Sequence, residues 1–132
     1  MSASALFKIA LPFGFCLALT SALYPAAIAL AGEADVIGAE VRARGNGAFD
    51  FDVTVRSNDT GWDAYADLIE VLGPDGKVLG TRVLLHPHET EQPFTRDVHC
   101  VVIPAGVTVV TVRARHSANG YGGETLEVVL PQ

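Results

Sequence analysis

From residue 48 to residue 57 apolar and polar side chains alternate without a break. Phe49, Phe51, Val53 and Val55 fall on one side, and Asp50, Asp52, Thr54 and Arg56 on the other. A period of two is the signature of a strand with one buried and one wet face, because successive side chains point to opposite faces. Noisier runs of the same kind lie at residues 36–44, 65–72, 77–85, 94–103, 107–116 and 124–130, and nothing beyond residue 31 repeats with a helical period. The reading is seven short strands.

Turn chemistry separates them. Gly45-Asn46-Gly47 supplies residues that tolerate positive φ, as a tight hairpin needs. Gly73-Pro74-Asp75-Gly76 and Pro104-Ala105-Gly106 are further turns. Seven alternating strands in about 100 residues predict an all-β, two-sheet antiparallel sandwich of immunoglobulin or fibronectin type III kind. After residue 31 the one cysteine is Cys100, so no disulfide can form within the domain. A domain of about 100 residues can hold by packing alone.

The first 31 residues are of a different kind. Lys8 is the only charge before Glu33, and the chain from Ile9 to Ala31 is almost wholly apolar, broken by Pro12, Gly14 and Pro25. It closes in Ala29-Leu30-Ala31, two small residues around a spacer, which predicts a signal peptide over residues 1–31 and a β-sandwich domain over residues 32–132. Cleavage after Ala29, at Ala27-Ile28-Ala29, is the shorter option. The apolar run is long enough to span a bilayer, but its prolines, its small-residue end and its lack of flanking basic residues favour cleavage. Cys16 does not read as a lipid-attachment site: Phe15 precedes it where a small residue is required. Periplasmic or secreted placement follows, with the membrane met only through the signal peptide during export.

All 15 acidic residues but only eight of the nine basic ones lie beyond residue 31. Such a domain has no electrostatic footprint for nucleic acid or anionic lipid.

Antiparallel order puts alternate connections at opposite ends. One end receives the short turns already named. The other receives residues 58–64, 86–92 and 117–123, which carry Trp62, Asp63, His86, His88, Glu89, Glu91, Asn119 and Tyr121, with His116 leading into the third loop. Three of four histidines and the sole tryptophan thus share one pole. A scaffold with functional loops at one end is a common way for this architecture to bind. Trp62, Asp63, His86, His88, Glu91 and Tyr121 are the candidate binding surface. The alternatives are ordinary polar loops and a Trp62 that caps the core.

His86-Pro87-His88 is the sharpest motif. The residue before proline is held extended, so both imidazoles project to one side. They would suit copper or zinc, with His116 as the third ligand, or Asp63 or Glu89. The competing reading is solvated histidines bonded to Glu89 and Glu91. His99 and Cys100 do not form a ligand pair: Cys100 shares parity with Phe94, Val98 and Val102 and is expected to be an inert core thiol unless a bulge intervenes.

No catalytic constellation stands out. Ser117 follows His116 with nothing to orient the pair. Asp50 and Asp52 share a face with Arg56 and read as solvated surface. Asn119-Gly120-Tyr121-Gly122-Gly123 precedes a strand and lacks the helix N-terminus of a phosphate loop. A non-enzymatic binding or accessory module is the expectation, its partner an unspecified protein or small ligand.

Two stretches carry a resemblance: Leu84-Leu85-His86-Pro87-His88 running on to Glu91-Gln92-Pro93-Phe94-Thr95-Arg96, and Gly120-Tyr121-Gly122-Gly123. Together they resemble a group of small exported bacterial β-sandwich proteins of unassigned function, over most of the domain. The resemblance implies fold and export only. Members of the group often carry histidine before the tyrosine matching Tyr65, where this chain has Ala64, so a shared metal site would lack a ligand here.

Overall fold

The computed structural model describes residues 33–132. The segment expected to be a signal peptide, residues 1–31, and its expected cleavage site lie outside the described residues. Seven strands follow in order: β1 (Ala34–Gly45), β2 (Ala48–Ser57), β3 (Ala66–Leu72), β4 (Val78–Val83), β5 (Phe94–Val102), β6 (Val109–His116) and β7 (Leu126–Val129). No helix occurs among the described residues. One sheet has the order β1-β2-β5 and the other β4-β3-β6-β7, with every pairing antiparallel.

Alternation decides which side chains fill the space between the sheets. Phe51, Val53 and Val55 of β2 meet Ile69 and Val71 of β3, Phe94, Val98 and Val101 of β5, and Val110, Val112 and Ala114 of β6, all buried. Burying such side chains is the main favourable term of the fold, about 1.5–3 kcal/mol for each large aliphatic or aromatic one.

The turns behave as their residues require. Asn46 and Gly47, with φ of 55° and 76°, sit between paired Gly45 and Ala48, the backbone that a two-residue hairpin of type I′ demands. The Gly73–Gly76 turn closes through Gly76 N–H donating to Gly73 C=O at 2.9 Å, and the next turn through Val107 N–H to Pro104 C=O at 3.2 Å.

Two contacts seal the sides of the sandwich. Arg82 of β4 donates to the Asp97 carboxylate at 2.8 Å and to the Asp97 carbonyl at 3.1 Å, crossing to β5. The start of β1 leans on the connection that leads into β7: Val36 N–H donates to Glu124 C=O at 2.9 Å.

The expectation for Cys100 is corrected. Phe49 pairs with Val101 but Phe51 pairs with Val98, so Asp50 alone faces both His99 and Cys100. This is a β-bulge, two residues against one. It inverts the alternation, turns Val101 inward in place of Cys100, and leaves the thiol exposed with φ of 50°. Asp50 holds the bulge by accepting from Cys100 N–H at 2.9 Å, and this bond lowers its pKa. Asp50 is largely buried and lies 3.2 Å from Arg44, so it is not the solvated carboxylate that parity alone suggests.

Candidate functional site

The three long connections do gather at one pole, and polar side chains bind them together. Asp59 is the node. Its Oδ1 accepts from Ser57 Oγ at 2.6 Å and from Ala66 N–H at 2.9 Å, while Oδ2 accepts from His88 N–H at 2.8 Å. One carboxylate with no solvent exposure thereby ties the end of β2, the start of β3 and the β4–β5 loop. Gln92 adds a second clamp. Its Oε1 accepts from Ser57 N–H at 2.9 Å and its Nε2 donates to His88 C=O at 2.8 Å. The third loop is held by Ser117, whose N–H donates to Tyr65 C=O at 2.8 Å and whose Oγ accepts from Tyr65 N–H at 3.1 Å.

His86 and His88 do fall on one side, with ring centroids 4.5 Å apart. Their surroundings differ. His86 is exposed. His88 is only 4 % exposed and stacks on Phe94 at 4.0 Å, the planes 10° apart. Arg96 Nη2 lies 3.0 Å from His88 Nε2. Guanidinium has no acceptor, so Nε2 must accept, and the ring proton resides on Nδ1. Nδ1 is buried without a hydrogen-bond partner, 3.9 Å from Asp59 Oδ2. A second proton on this ring would meet the Arg96 donor head-on. Burial, then Arg96, then His86 depress the His88 pKa, against the opposing pull of Asp59 and Glu91. Glu91 is exposed and pairs with Arg96 at 3.3 Å, a bond that lowers its own pKa.

His116 is 1 % exposed. Its Nδ1 accepts from Ala118 N–H at 3.2 Å, so its proton sits on Nε2, which is buried without a partner. One nitrogen of each ring, His88 Nε2 and His116 Nδ1, is engaged by an N–H donor, and the other is buried. Among the described residues no group of three or more His, Cys, Asp or Glu side chains is arranged to hold a metal ion.

The outward part of the pole is aromatic and aliphatic. Trp62 is 67 % exposed, so it does not cap the core; its ring meets Tyr65 edge to face with centroids 5.7 Å apart. Leu85 is 76 % exposed, and Asp63 is exposed beside Trp62. Tyr121 is 41 % exposed and folds over the outer face of the four-stranded sheet. There its hydroxyl donates to Glu70, and the Arg113 guanidinium lies 3.8 Å from its ring centroid. The Glu70 bond raises the Tyr121 pKa. Of the candidate surface residues, Trp62, Asp63, His86, Glu91 and Tyr121 are outward, and His88 is inside.

Sequence reasoning missed Asp59, Gln92 and Arg96. A short acceptor two residues after a strand and two residues before Gly61 is a turn-forming signal. It marks Asp59 as locally bonded, but its partners 7 and 29 residues away carry no sequence mark.

No known family description matches the chain, and no solved structure matches it. It is similar to a protein of Halomicrobium mukohataei named "Putative lipoprotein", 41 % identical over 96 residues, which cover 73 % of this chain and 47 % of that protein. The chain spans about half the length of that relative. Among the described residues no helix is long and apolar enough to cross a membrane.

Proposed function

We propose that the chain is an exported, non-catalytic binding or accessory module of immunoglobulin or fibronectin type III kind, led out by residues 1–31, that presents its loop pole to a protein or small ligand. The strand order β1-β2-β5 facing β4-β3-β6-β7 favours the fold reading. The similarity to a protein named as a lipoprotein favours work at the cell envelope or beyond it.

The observation that carries the proposal is the contrast within the pole. Trp62 and Leu85 stand in solvent on loops whose backbones are fastened by the buried Asp59. A large apolar side chain on a pre-ordered loop loses little entropy on binding, and tryptophan and tyrosine are the usual anchors of such contacts. The hydroxyls near the histidines serve structure: Ser57 Oγ donates to Asp59 and Ser117 Oγ holds Tyr65 N–H.

The test is capture from an envelope extract by immobilised protein, beside Trp62→Ser and Leu85→Ser variants and a Val129→Ser control on β7. A partner retained by wild type and control but lost by both loop variants, with unchanged melting temperatures, is the expected result. Equal capture by all four proteins would sink the reading.

A further inference from the structure

The chain enters the sandwich at the loop pole. Ala34, the first residue of β1, pairs with Ser57 at the end of β2. Glu33 lies against Gly122 of the third loop, and Asp35 Oδ1 accepts from Glu124 N–H at 2.8 Å. The apolar stretch of residues 9–31 ends two residues before Glu33. Two extended residues reach about 7 Å at most. Whatever holds Ala31 therefore holds the loop pole close by, while the turn pole lies a strand's length away, about 30 Å for the ten residues of β2. The side chains left in solvent at the near pole are of the kind a lipid surface takes: Trp62 and Leu85. Tryptophan and tyrosine settle at headgroup level because their rings are apolar with a polar edge. Asp63, Glu89, Glu91 and Glu33 at the same pole oppose an anionic surface, so the fitting partner is zwitterionic.

We propose that, while residues 1–31 remain attached, the loop pole rests against a zwitterionic bilayer with Trp62 and Leu85 at headgroup depth, and that removal of the segment frees this pole for its soluble partner. The proposal rests on the reading of the pole as an interaction surface, and it makes lipid the first occupant of that surface.

Trp62 is the only tryptophan in the chain, so its emission reports on this pole alone. The full chain is reconstituted in phosphatidylcholine vesicles and in matching vesicles brominated at the shallow end of the acyl chains. Brominated lipid should quench Trp62 emission several-fold, and the vesicles should shield it from acrylamide. A Trp62→Phe, Val129→Trp chain, whose probe sits near the far pole, should stay unquenched by lipid and open to acrylamide. A vesicle-bound chain whose Trp62 is reached by acrylamide but not by brominated lipid overturns the proposal. So does equal lipid quenching of both probes, or a full chain that does not float with vesicles. Capture of a soluble partner is read in a separate assay, so its failure would leave the lipid result standing.

Discussion

The two poles of the sandwich are fastened differently. At the turn pole the connections are short, and the β3–β4 turn satisfies its own backbone: Gly73 N–H donates to Lys77 C=O and Gly76 N–H to Gly73 C=O, within five residues. At the loop pole the connections are long, and side chains hold them across large separations. Ser57 is bonded to Gln92, 35 residues on, and Asp59 to His88, 29 residues on. A turn that satisfies its own backbone has no polar interior to disturb. A pole built on a buried carboxylate can hold long loops still, but it concentrates their order in a few side chains.

The sharpest way to break this contrast is Asp59→Ala. It strands the Ser57 hydroxyl and the Ala66 and His88 N–H groups. Each buried donor left alone costs about 1–3 kcal/mol, so a loss of roughly 3–5 kcal/mol is expected in urea unfolding. A loss under about 1 kcal/mol would mean that the loops do not depend on this node.

The second prediction is acid sensitivity of the loop pole. The folded pKa of His88 lies below its ordinary value, so folding releases protons from this ring. Its contribution is complete above the unfolded value of about 6.5 and fades as pH falls below that toward the depressed folded value. Each unit of depression is worth about 1.4 kcal/mol. Thermal melts across this window should show wild type losing stability relative to His88→Gln; parallel curves would refute the assignment.

At the turn pole Gly76→Ala should cost only about 1 kcal/mol. Its φ is 79°, yet open space surrounds the position, so the strain is confined to the backbone. Trp62→Ser should change stability by less than about 0.5 kcal/mol in the same assay, since its ring is mostly in solvent. The smallest effect expected is that of copper or zinc: calorimetric titration should show no stoichiometric site in wild type, because Arg96 faces the His88 lone pair. Arg96→Ala frees that lone pair, and binding that appears only in this variant would sharpen the point.

Much of the frame was legible in the sequence because a single parity rule carries it. Phe51, Val53 and Val55 lie inside as their spacing requires, and the Asn46-Gly47 turn needs no context. The rule failed where one residue was inserted. Val101 and Val102 are both apolar, so either could face inward, and the bulge at Cys100 chooses Val101. The gathering of three loops at one pole was legible from strand direction. Which polar residues turn inward was not. His88 is buried because Phe94 offers a ring to stack on and Asp59 a carboxylate to its N–H, and both contacts arise only when the sheets have met.

The position of the two chain ends has a mechanical consequence. β1 begins at the loop pole, and the chain leaves β7 at the other, where Leu130 N–H donates to Thr108 C=O. A pull between the ends therefore runs along the strands. The ladders of β1 with β2 and of β6 with β7 would resist in shear, many bonds at once, instead of opening one rung at a time. A domain so strung can bear load between whatever holds each end, with its loops kept at the end where the chain comes in.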